Sequence, residues 1–101
     1  MLTIYFGQTG APLEVDTGID LSSVSEYKLK FRHFDGTEGE FTGDSLTVDG
    51  TIIKYKFSAS SWTDKLTKLG TYAIWSHVTL ESGETIPGTP YEIVIVEEGT
   101  L

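Results

Sequence analysis

The sequence has no cysteine and no asparagine. Without cysteine there is no disulfide framework, thiolate nucleophile or cysteine zinc site. Without asparagine there is no N-linked glycosylation. Basic residues are few: one arginine and six lysines stand against 15 acidic residues, for a net charge of −8. Nucleic-acid affinity rests on neutralising phosphates, so this balance excludes a general nucleic-acid partner. No apolar run approaches the roughly 20 residues of a membrane-spanning helix. The opening Met1-Leu2-Thr3-Ile4-Tyr5-Phe6 has neither a basic region nor a long apolar one, so it does not read as a signal peptide. A membrane partner is not expected. The glycines are scattered, so no phosphate-binding loop is present.

What is present is alternation. The 101 residues suit one domain, 1–101. Leu2, Ile4 and Phe6 alternate with Thr3 and Tyr5. Tyr27, Leu29 and Phe31 alternate with Lys28, Lys30 and Arg32. The same period recurs at Ile53, Tyr55 and Phe57, at Tyr72, Ile74, Val78 and Leu80, and at Tyr91, Ile93 and Ile95. Such strands turn one face to a core and the other outward. Turn signals separate them: Asp35-Gly36, Asp49-Gly50, Ser82-Gly83 and Pro87-Gly88-Thr89-Pro90. Asp49-Gly50 is the strongest hairpin signal. Short strands with regularly spaced turns predict an all-β, immunoglobulin-like two-sheet antiparallel β-sandwich of seven to nine strands.

One segment lacks period two. Residues 61–69 predict a short helical turn, capped by Ser61 or Thr63 and ended by Gly70. Gly70-Thr71-Tyr72 then matches the tyrosine corner of immunoglobulin-like sandwiches, with Tyr72 as the corner residue.

Catalytic chemistry finds little support, and the chain reads as no enzyme. The histidines His33 and His77 lack partners at metal-ligand spacing, so both read as exposed or rim side chains with no metal or other cofactor. Asp35, Glu38 and Glu40 are too closely spaced for a calcium loop and read, with Asp44 and Asp49, as solvated turns. The run Ser58-Ala59-Ser60-Ser61 lacks a nucleophile elbow. The cations are better organised. Lys28, Lys30, Arg32, Lys54 and Lys56 share the outward parity of two strands. On an immunoglobulin-like topology, Trp75 and His77 face outward beside Lys28, Lys30 and Arg32. That face is the candidate interaction surface, with Trp and Arg as potential hot spots. The plainer reading is that lysine stems cover an outward tryptophan.

Some motifs carry a resemblance. Gly7-Gln8-Thr9-Gly10 leads into Ile19-Asp20-Leu21, then a Phe34-Asp35-Gly36-Thr37 turn, Leu69-Gly70-Thr71-Tyr72 and a closing Tyr91-Glu92-Ile93-Val94-Ile95. This order resembles small immunoglobulin-like virion proteins of tailed bacteriophages, of the capsid decoration, tail or baseplate accessory type. The resemblance implies a structural virion component, assembled in the host cytoplasm, that contacts other virion proteins and copies of itself. It supplies no catalytic residue. A first strand with Leu2, Ile4 and Phe6 is then a candidate edge contact. The alternative reading is a carbohydrate-binding or host-adhesion module, with Trp62, Trp75 and Tyr5 stacking on a glycan.

Overall fold

The alternating segments fold as strands that bury one parity and expose the other. The computed structural model describes residues 2–10, 12–42 and 45–97. Asp44 and the tail 98–101 lie outside the described residues. The strands are β1 (Leu2–Tyr5), β2 (Pro12–Asp16), β3 (Val24–His33), β4 (Glu38–Phe41), β5 (Leu46–Asp49), β6 (Ile52–Lys56), β7 (Gly70–Leu80), β8 (Thr85–Pro87) and β9 (Tyr91–Val96).

They make two sheets, as an immunoglobulin-like sandwich requires. The larger has the order β1-β9-β7-β3-β4, with β8 beside β7; the smaller is β2-β6-β5. All pairs are antiparallel except β1 with β9, which is parallel. The longest pairing joins β3 to β7 and sets Lys28 beside His77, Lys30 beside Trp75 and Arg32 beside Ala73.

The core lies between the sheets. Leu29, Phe31, Phe41, Tyr72, Ile74, Val78, Ile93 and Ile95 come from the larger sheet, and Leu13, Val15, Leu46, Ile53 and Tyr55 from the smaller. Each large apolar side chain contributes about 1.5–3 kcal/mol by leaving water. Phe41 stacks on Tyr55 across the sandwich, with ring centroids 3.9 Å apart. Gly39 stands opposite Phe31, and a Cβ there would run into the Phe31 ring. The ring thus covers the site where β4 has no side chain.

Turns fall where the glycines are. The β5–β6 hairpin closes through Gly50-Thr51, with Asp49 opposite Ile52. Gly50 has φ +63°, the II′ arrangement with glycine first, so the turn sits one residue later than the Asp-Gly pair suggests. Ser61–Lys65 is a single wide helical turn. Its N-cap is Ser60, which makes no side-chain cap bond, and Gly70 opens β7 instead of ending the helix. The Ser61 hydroxyl is buried against Tyr55 Oη and accepts from Ser58 N. Tyr72 is the expected corner: its hydroxyl donates to Lys68 O (3.0 Å) and accepts from Lys68 N (3.1 Å).

Candidate functional site

Period two and the β3–β7 register build the candidate face. Lys28, Lys30 and Arg32 point outward because Leu29 and Phe31 point inward; Trp75 and His77 do so because Ile74 and Val78 are buried. The five predicted residues therefore share one surface. Lys54 and Lys56 do not join it, because β6 belongs to the other sheet. Lys54 there pairs with Glu14 (3.5 Å) and Asp49 (3.7 Å).

The adjoining strand supplies compensating charge. Arg32 Nε lies 2.8 Å from Glu38 Oε1, and Lys28 Nζ 3.3 Å from Glu40 Oε2. Glu38 and Glu40 are thus strand residues facing the cations, not merely solvated turn residues. The spacing Glu38-Gly39-Glu40 was the signal for them: two acids at period two around a glycine. Such exposed pairs contribute about 0–1 kcal/mol each. Arg32 also lies over Trp75, its Cζ 5.9 Å from the ring centroid. Lys30 has no ion pair among the described residues. Lys30, Phe31, Glu38, Gly39, Glu40 and Trp75 line a shallow depression of about 190 Å³. His77 Nδ1 is buried with no hydrogen-bond partner. Desolvation, then the charges of Lys30 and Lys28, hold the His77 pKa below the usual histidine value. Both effects disfavour the imidazolium form of His77.

His33 is not a rim side chain as expected; it is 3% exposed. Its parity places it inward with Leu29 and Phe31, and local bonds satisfy its ring. Nδ1 lies 3.2 Å from Asp35 N and 3.0 Å from Asp35 Oδ1, and Nε2 lies 2.7 Å from Leu69 O. The Asp35 carboxylate bonds Lys68 Nζ (2.5 Å) and Thr37 N (2.9 Å). Lys68 first, then the Thr37 backbone N–H, hold the Asp35 carboxyl well below the usual range. With both ring nitrogens held by local polar groups and its ring edge-on to Tyr72 (4.7 Å), His33 is a clamp on the Tyr72 corner. Among the described residues, no three of His, Asp and Glu are grouped to hold a metal ion.

Two further expectations are corrected. The glycan platform fails because Trp62 is 5% exposed, its ring stacked on Phe57 (5.3 Å) and its Nε1 donating to Gln8 O (2.8 Å). Tyr5 is two strands away from β7 and registers through Val96 near its start, far along the sheet from Trp75. The edge contact also changes. β1 is an edge strand, but Ile4 is 2% exposed and belongs to the core. Leu2 and Phe6 are exposed, and Phe6 leans on Trp62 with centroids 5.2 Å apart. Gln8 caps the end of this edge: its Oε1 accepts from Tyr5 N (2.8 Å), and its N–H donates to Tyr5 O (3.0 Å).

Comparison with known proteins bears on the fold. No family model and no curated protein matches the chain. The crystal structure of CopC from Methylosinus trichosporium OB3b is similar, with a TM-score of 0.58 and 10% sequence identity over 100% of this chain and 90% of that one. At that identity the likeness concerns the fold alone. The expected virion role is corrected: no family model or curated protein supports it, and the solved structure that shares the fold is CopC. The resembling motifs have a local cause: Gly7, Gly10 and Gly36 have φ of +92°, +91° and +96°. Positive φ selects glycine at a turn whatever the protein does. The chain is therefore an all-β, two-sheet sandwich of the immunoglobulin-like kind, similar in fold to CopC.

Proposed function

We propose that this chain is a non-catalytic binding module that recognises the surface of another protein through the outward face of β3, β7 and β4. The observation that carries this reading is Trp75 at the centre of that face, beneath Arg32 and beside Lys30. A flat sheet face with a shallow depression matches a protein surface better than a small molecule, whose sites enclose most of the ligand. Buried Trp and Arg are the side chains that most often dominate such contacts. Lys28 and Arg32 are held by Glu40 and Glu38, which fixes their positions before a partner arrives.

A photo-crosslinking side chain at position 75, compared with one at Thr47 on the smaller sheet, tests the reading. A defined partner captured only from position 75, and lost on Lys30→Glu, is the expected result. Equal capture from both positions, or capture indifferent to Lys30→Glu, overturns it.

A further inference from the structure

The inward parity of β7 is broken once. Tyr72, Ile74 and Val78 are apolar and buried; Ser76 between them is 3% exposed and polar. A serine fits this core position because Gly88 packs closely against its hydroxyl at the margin of a cleft. A cleft of about 310 Å³ opens there between the two sheets. Val15, Ile19 and Ile86 wall it, Ser76 and Thr89 bring hydroxyls, and Asp16 brings a carboxylate. Gly88 belongs to the same cleft, and a Cβ on it would collide with the Ser76 hydroxyl.

The cleft adjoins an open strand edge. Leu80 N donates to Glu84 O and Gly88 N to Ser76 O, while Ile86 pairs with Val78. Residues 84, 86 and 88 therefore direct their backbone groups at β7, and Thr85, Pro87 and Thr89 direct theirs away. Among the described strands, β8 pairs with β7 alone. Thr89 forms no hydrogen bond within the described residues, so its N–H, C=O and hydroxyl are all available. The Ser76 hydroxyl likewise makes no side-chain bond. Thr17 is already committed: its hydroxyl donates to Thr51 O (2.7 Å) and accepts from Ile19 N (3.1 Å).

Charge selects the occupant. Asp16 is the charged side chain of the cleft, and no lysine or arginine lines it. Asp16 Oδ1 accepts from Gly18 N (3.0 Å) and Thr51 Oγ1 (2.8 Å), which leaves Oδ2 for a ligand. We propose that β8 and this cleft receive an extended peptide segment of another protein, added as a strand along β8, with a cationic side chain directed toward Asp16. Main-chain bonds to Thr85, Pro87 and Thr89 supply affinity, and the cleft reads one side chain. The site is separate from the face at Trp75, on the opposite side of β7, and does not depend on it.

The test uses the blocked pentapeptide acetyl-Thr-Val-Lys-Val-Thr-amide and its counterpart with Glu at the centre, titrated into the full chain by amide NMR. Shifts confined to residues 16–19 and 85–89 are expected. The Lys peptide binds about fivefold more tightly than the Glu peptide, the value of one partly exposed charge pair. Asp16→Asn keeps the Oδ1 acceptor and abolishes that preference. Ser76→Leu fills the cleft and removes binding; because this change burdens the core, Thr89→Pro serves as a second variant that deletes one edge N–H and weakens both peptides alike. No shift at residues 85–89 with millimolar peptide, or Glu binding as well as Lys, overturns the proposal. Peptide shifts centred on Trp75 also overturn it, and leave the proposed working face untouched.

Discussion

Trp75 and Ser76 are neighbours in the chain and opposites in every other respect. Trp75 points out of the larger sheet onto a surface where Lys28 and Arg32 are paired and the relief is a shallow depression. Ser76 points between the sheets, where a core residue belongs and a cleft stands instead. The contrast teaches that one strand can serve a sandwich twice. Its outward parity displays side chains, and its inward parity decides where the interior is closed.

The largest expected effect separates a filled inward position from the open one. Ile74→Ala should destabilise by about 2–5 kcal/mol, the cost of a cavity in a packed core. Ser76→Ala, one inward position along, should change stability by less than about 0.5 kcal/mol, because no buried bond is lost. Urea denaturation measures both, and equal losses would show that the cleft is part of the packed core. Next comes Gly88→Ala, which forces a methyl toward the Ser76 hydroxyl and should cost about 1–3 kcal/mol. The double change with Ser76→Ala should recover most of that loss, since the collision is with Oγ. On the outward side, Arg32→Ala removes an exposed ion pair and a cation–π contact and should cost only about 0.5–1 kcal/mol. A loss above that range would mean that the face is structural, not displayed.

The smallest effect at neutral pH is at Tyr91, which faces Ile74 across the β7–β9 pair at the filled end. Burial pushes its phenol up to about 12. The folded state thus holds this proton more tightly than the unfolded chain does at the ordinary value of 10.0. Its stabilising contribution is complete below pH 10 and disappears as pH rises from there to about 12. Tyr91→Phe should flatten that alkaline decline, and ultraviolet titration should show a late-ionising tyrosine signal that shrinks but persists in the variant, because burial also raises Tyr72.

Much of the fold was legible. Period two located the long strands, and Gly70-Thr71-Tyr72 located the corner. β4 was hidden because its inward position is Gly39, whose space the Phe31 ring occupies from a neighbouring strand. β8 was hidden because three residues ending in proline carry no pattern. His33 shows a different failure. It has the parity of Leu29 and Phe31, which placed it inward, but its polarity argued for the rim; Leu69 O and Asp35 N resolve the conflict. The cations on β3 were readable, whereas their partners Glu38 and Glu40 required the β3–β4 register. Ser76 was visible only as a gap in the apolar parity of β7. No sequence signal says whether such a gap is filled by a neighbour or left open.

The parallel pairing of β1 with β9 has a mechanical consequence. Leu2 lies beside Ile93 and Tyr5 beside Val96, so the two strands run the same way. Tension applied backward at Leu2 and forward at Val96 would slide them lengthwise past each other. Their hydrogen bonds would then bear the load together, in shear, instead of opening one after another like a zipper. An antiparallel pair pulled from its adjacent ends has no such protection. The seam between the first and last strands is therefore built to resist extension along the sandwich.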